Sequence, residues 1–144
     1  MFINPKETEL KKLLQDCHNI AVVGLSSNPI HTSYTVAKYL QDHGYRVIPV
    51  NPTLKEAVLG EKPYPALEAV PEKVDIVNVF RRSEDVPPIA QAALQVKPKA
   101  IWMQLGVVNE AAAAEAVKEN ILVVMDRCIK LTHCSLLGTD EKSA

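Results

Sequence analysis

Four short runs in this sequence carry groups suited to phosphates and amides, and each closes an apolar stretch. Gly24-Leu25-Ser26-Ser27 follows Ile20–Val23, and Asn51-Pro52 follows Arg46–Val50. Phe80-Arg81-Arg82 closes the run that begins at Asp75, and Gln104-Leu105-Gly106 closes the one that begins at Ala100. A guanidinium offers phosphate a planar two-point fork and stays charged at physiological pH. Serine hydroxyls and the free N–H groups of a helix start also favour an anion. Gln104 can pair its amide with the amides of an extended ligand, and Gly106 permits close approach. Asp126-Arg127 adds a base after Ile121–Met125.

Each run also has a plainer reading. The first is a strand-to-helix turn capped by Thr32 or Ser33, and Asn51-Pro52 is a corner. Arg81 and Arg82 then pair with Glu84 and Asp85 in solvent, and Gln104 bonds to a neighbouring loop. The first loop holds one glycine, not the three of G-x-G-x-x-G, so alone it is a weak signal. An NAD site needs an acid after the second strand to hold the ribose hydroxyls. Val50-Asn51-Pro52 has none, which disfavours a nicotinamide oxidoreductase, and Lys55 is the sole nearby base for NADP. Asn51-Pro52 offers instead a neutral, stiff border for an adenine ring.

The elements that position these runs follow from apolar periodicity. The spacing predicts a first helix capped by Asn4, with Pro5 at its first position and Glu7 three after the cap. Strands are expected at Ile20–Val23, Arg46–Val50, Asp75–Phe80, Ala100–Gln104 and Ile121–Met125. Between them lie a helix from about Ser33 to His43 that stops at Gly44, and one with Val86, Ile89, Ala90, Ala93 and Leu94 as its stripe. Pro87 and Pro88 fall in the first turn of the latter, where they are tolerated. A further helix starts at its cap Asn109, and a tail helix spans about Ile129–Leu136. Residues 53–73 are irregular, with a short helix near Ala66–Ala69. Strands alternating with helices predict an α/β, Rossmann-like doubly wound parallel sheet of about five strands with helices on both faces. Right-handed crossovers favour the order 3-2-1-4-5. In such sheets a ligand lies along the carboxyl ends of the strands, where all four runs fall.

At 144 residues the chain is read as one domain over residues 1–144, with its core at about 15–137. Net charge is −1, which gives no sign of a nucleic-acid or membrane surface. Three cysteines, no apolar run near 18 residues and no leader pattern predict a soluble, cytoplasmic protein.

Ile20–Pro29 (IAVVGLSSNP), Tyr34–Leu40 (YTVAKYL), Gly44–Pro52 (GYRVIPVNP), Asp75–Arg82 (DIVNVFRR), Ile101–Gly106 (IWMQLG) and Val123–Cys128 (VVMDRC) occur in an order that resembles the small stand-alone CoA-binding proteins. These are similar to the N-terminal domain of the succinyl-CoA synthetase α subunit, and the resemblance covers about residues 15–137. It implies a site for coenzyme A or a short acyl-CoA as the small-molecule ligand. Gly24, Ser26 and Ser27 would then meet the phosphates, and Asn51 and Pro52 the adenine. Phe80, Arg81 and Arg82 would surround the nucleotide, while Gln104 and Gly106 follow the pantetheine arm. Many members carry Arg-Pro-Ser where this chain has Ile30-His31-Thr32-Ser33, so an imidazole stands in place of a fixed charge.

The synthetase reaction needs a phosphorylated histidine on a second domain and a partner subunit. His18, His31, His43 and His133 show no paired acid or nucleophile here, and His43 before Gly44 reads as a helix cap. The expectation is therefore CoA binding without catalysis of its own. A nucleotide- or redox-sensing regulator, or a subunit that completes an acyl-CoA enzyme with a protein partner, are the alternatives. Cys128, His133 and Cys134 lack zinc-ligand spacing, so no metal is expected. Cys128 beside Arg127 reads as a packed thiol or a mildly activated one.

Overall fold

The computed structural model describes residues 2–138. Five parallel strands form its sheet: β1 (Asn19–Val23), β2 (Arg46–Val50), β3 (Ile76–Val79), β4 (Ala100–Met103) and β5 (Leu122–Val124). The helices are α1 (Glu7–Asp16), α2 (Thr32–Asp42), α3 (Val86–Val96), α4 (Glu110–Lys118) and α5 (Ile129–His133), the last running into a π turn over Cys134–Gly138.

Strand alternation divides the core in two. Ala21, Val23, Ile48, Val77, Val79, Ile101 and Met103 face α3 and α4. Ile20, Val22, Val47, Ile76 and Trp102 face α1, α2 and α5. Successive residues of a strand point to opposite faces, so a strand buried on both sides reads as a continuous apolar run. That is why the strand positions were plain in the sequence.

The sheet order is β2-β1-β3-β4-β5, not the expected 3-2-1-4-5. Crossover handedness permits both orders, and Pro49 decides between them. In the expected order β2 lies inside the sheet, where a proline removes a ladder donor. In the structure β2 is an edge strand, and among the described residues its outer side is bridged by the segment at Tyr64, whose N–H donates to the Pro49 carbonyl at 2.9 Å. The N–H that Pro49 lacks belongs to that same outer side, where its loss costs least.

Asn4 is also not the cap of α1. Lys6 holds that position, and Glu9 accepts the Lys6 N–H at 3.2 Å. Asn4 instead bridges the end of β5, accepting the Met125 N–H at 2.8 Å and donating to its carbonyl at 2.9 Å. The groups at an edge strand's end need partners, and one asparagine amide satisfies both.

Candidate functional site

The carboxyl ends of β1, β2, β3 and β4 open on two hollows that meet at Gly24, Arg81 and Asp85. The larger, of about 610 Å³, is lined by Phe80, Arg82, Gln104, Leu105 and Cys128 among others. The second, of about 380 Å³, has walls from Val50, Pro52, Pro65, Leu67 and Ile89.

Gly24 sits at the junction because nothing larger fits. Its φ is +92°, and an added Cβ would lie 2.4 Å from the Phe80 carbonyl oxygen. Its N–H donates to Val50 O at 2.8 Å, and Phe80 N–H donates to Val23 O at 2.8 Å. Three strand ends are thereby locked at one level.

The loop after β1 is bonded to itself. Ser26 N–H donates to Ser33 Oγ at 3.0 Å, and Ser26 Oγ accepts the Asn28 N–H at 3.0 Å while lying 2.6 Å from His31 Nδ1. His31 is the N-cap residue of α2, in extended conformation, so the cap is neither Thr32 nor Ser33. Ser27 is exposed in the same loop, and Thr32 reaches the larger hollow.

Asn51 is spent on structure. Its Nδ2 donates to Leu25 O at 3.1 Å, and its Oδ1 accepts from Thr53 N–H and Oγ at 3.0 and 2.8 Å. The β1 and β2 loops are so tied together that Pro52, not Asn51, forms the wall of the smaller hollow. Arg81 and Arg82 line the hollows and also pair with carboxylates, as the plainer reading of them expected. Arg81 Nη2 lies 3.6 Å and Arg82 Nε 3.2 Å from Asp85 Oδ2, and Glu84 stands 3.6 Å from Arg82 Nη1. Hydrogen bonding and charge from Asp85, with Glu84 adding, raise the Arg82 pKa further.

Gln104 likewise does two things. It is 3 % exposed, and its Oε1 accepts the Ile129 N–H at 3.1 Å, fixing the start of α5. Among the described residues no partner takes its Nε2, and the side chain borders the larger hollow. Gly106 shapes the turn instead of the wall: its φ is +82°, its N–H donates to Asp126 Oδ1 at 2.8 Å and its carbonyl accepts from Ser83 Oγ at 3.3 Å.

Residues 65–67, Asp85, Leu105 and Cys128 belong to the hollows without having been singled out for them. A signal existed for the first group. The connection leaving β2 starts at the ligand edge and contains prolines in place of a crossover helix, so it must pass beside the site. Cys128, His133 and Cys134 are not gathered: His133 is buried with its Nδ1 2.9 Å from Tyr39 Oη, Cys134 is exposed, and Cys128 lines the larger hollow. His43 is the C-cap of α2, as its place before Gly44 implied.

The parallel sheet with helices on both faces is a Rossmann-like α/β fold, a class in which ligands lie along the carboxyl ends of the strands. The chain belongs to the CoA binding domain family, whose model matches residues 18–134. It is 47 % identical over 130 residues to the uncharacterized protein YneT of Bacillus subtilis, covering 90 % of this chain and 96 % of that one. A hypothetical protein of Pyrococcus horikoshii has a solved structure that superposes with TM-score 0.90 at 31 % identity, over 96 % of this chain and 99 % of that chain. The acetyl-coenzyme A synthetase 1 of Ca. Korarchaeum cryptofilum matches at TM-score 0.63 and 28 % identity, over 73 % of this chain and 25 % of that one. No helix among the described residues is long and apolar enough to cross a membrane.

Proposed function

We propose that this protein binds coenzyme A along the carboxyl edge of its sheet. The observation that carries the reading is Arg81, which belongs to both hollows and so marks where a phosphate would join two dissimilar parts of one ligand. The proline-walled hollow suits a flat adenine, with Pro52 as a wall and Asn51 holding that wall in place. Gly24 and Thr32 line the larger hollow with Phe80, Arg81 and Arg82, and the loop that carries Ser26, Ser27 and His31 into α2 joins Gly24 to Thr32, a setting that suits the phosphates. Gln104 Nε2 suits a pantetheine amide, and Gly106 keeps the turn beside it low.

Nicotinamide dinucleotides fit poorly, because the residue after β2 is an amide already engaged by Thr53. A second reading makes the chain one component of an acyl-CoA enzyme, favoured by its likeness to a quarter of a synthetase chain. That reading predicts that the purified chain alone turns over no thioester.

Thermal unfolding tests the main proposal. At about 100 times Kd, CoA stabilises by about 2.7 kcal/mol, a rise of roughly 8 °C for a chain of this size. NAD at the same concentration leaves the midpoint in place. Equal shifts with both ligands would refute CoA specificity.

A further inference from the structure

Beyond Cys128 the larger hollow continues into a third, of about 280 Å³, lined by Leu105, Cys128, Leu131, Thr132 and Leu136. Leu105 and Cys128 belong to both. We propose that this third hollow receives the acyl chain of a CoA thioester, and that the protein prefers an apolar acyl-CoA to free CoA. The proposal rests on the CoA reading above and names its substrate class.

Three leucines from separate elements converge there: Leu105 from the turn after β4, Leu131 from α5 and Leu136 from the π turn. Leu105 is 62 % and Leu131 60 % exposed, although large apolar side chains cost free energy in water. Singly such residues need no explanation, but these two border one hollow that opens from the ligand edge. The order of groups matches the order of the ligand. Gln104 lines the larger hollow and not the third, Leu105 and Cys128 line both, and Leu131 and Leu136 line the third and not the larger. In a CoA thioester the pantetheine amides precede the sulfur, and the acyl chain follows it.

Charge at the rim selects among acyl groups. Glu7, Asp126 and Arg127 line the same hollow, two carboxylates against one guanidinium, and Asp126 also accepts the Gly106 N–H. A terminal carboxylate would meet net repulsion, so dicarboxylic acyl groups such as succinyl are disfavoured. No step at the Cys128 thiol is required: the groove binds the thioester intact.

The test is a calorimetric series on the full chain with CoA and its acetyl, butanoyl, hexanoyl and succinyl thioesters. Half-burying each methylene tightens binding by about fourfold for every two carbons. Succinyl-CoA should bind more weakly than butanoyl-CoA. Leu131→Asp, at an exposed position, should flatten the series and leave free CoA within about twofold. A flat series in the wild type with CoA itself bound, or a preference for succinyl over butanoyl, would overturn the acyl groove alone. So would dimerisation that Leu131→Asp abolishes without any dependence on chain length, since a second copy would then cover the leucines. Failure of CoA and every thioester to bind would refute the CoA reading and the groove together.

Discussion

Ser26 Oγ lies 2.6 Å from His31 Nδ1 and accepts the Asn28 N–H from its other side. With one lone pair engaged by Asn28, the hydroxyl is free to donate its proton to Nδ1. The contact holds the ring at the N-cap position of α2. This arrangement anchors an imidazole in the loop that leads from Gly24 to α2.

A prediction follows from that contact. If the ring faces a bound phosphate, His31→Arg should bind CoA at least as tightly as the wild type, because a guanidinium brings a fixed charge and a two-point fork. His31→Ala should weaken CoA by about two- to fivefold. Ser26→Ala frees the ring and orphans the Asn28 N–H, which should weaken CoA by about fivefold. Titration calorimetry reads all of these. Unchanged CoA affinity in His31→Ala would place the ring outside the site.

Asp85 competes with any phosphate for Arg81 and Arg82, since its carboxylate lies between the two guanidiniums. Asp85→Asn keeps the shape and removes the competitor. CoA should then bind about two- to fivefold tighter, the scale of an exposed ion pair. Arg81→Ala with Arg82→Ala should weaken it by about 30-fold or more. Opposite signs for the two changes are the signature. Weakening by Asp85→Asn would mean that the carboxylate orients the arginines instead of blocking them.

The sheet was legible because its strands are short apolar runs between turn signals, and most strand limits were expected within a residue or two. Strand order was less so, although Pro49 held the information: a proline inside a strand marks an edge, and that excluded the order in which β2 is interior. Asn4 was misread because its cap-like sequence context hides a long-range partner, Met125, 121 residues away. Among the residues that line the hollows, Arg81, Arg82 and Gln104 were legible because charge or amide at the end of an apolar run is locally anomalous. Leu105 and the residues around Pro65 were not, since apolar and proline side chains in a loop look alike whether or not they line a hollow.

Gly24 and Gly106 both adopt positive φ, +92° and +82°, yet they should respond differently to alanine. At Gly106 an added Cβ meets nothing within 4 Å, so only the backbone penalty remains, about 1 kcal/mol. At Gly24 the methyl would also meet the Phe80 carbonyl at 2.4 Å and the Arg81 Cδ at 3.0 Å. Strain and clash together should cost about 2–4 kcal/mol and move Phe80 and Arg81 in the site. Urea unfolding gives the first quantity and CoA affinity the second. Equal losses at both glycines would show that the β1–β3 contact yields without cost.

Stability at the two ends of the pH scale should be governed by one pair at the opposite end of the sheet. Asp75, 7 % exposed, accepts the N–H groups of His18 at 2.9 Å and Asn19 at 3.0 Å. Burial pushes its carboxyl up, but those two bonds, with Lys99 and Lys73 nearby, prevail and hold it below the ordinary carboxylate value. The folded state thus binds this proton less readily than the unfolded chain. Its contribution is complete above the unfolded value, near 3.8, and is lost as pH falls through the lower folded one. Cys17, 3 % exposed, behaves in the opposite sense: burial first, then the Asp75 charge, push its thiol up to about 12 from 9.0. The unfolded thiol ionises first, so stability should decline as pH rises from about 9 towards about 12. Asp75→Asn should cost about 1–2 kcal/mol at pH 7 and remove much of the acid limb. Cys17→Ala should flatten the alkaline limb while leaving the acid limb in place. Urea midpoints from pH 3 to pH 11 separate the two, and an alkaline limb unchanged by Cys17→Ala would assign that loss to other groups.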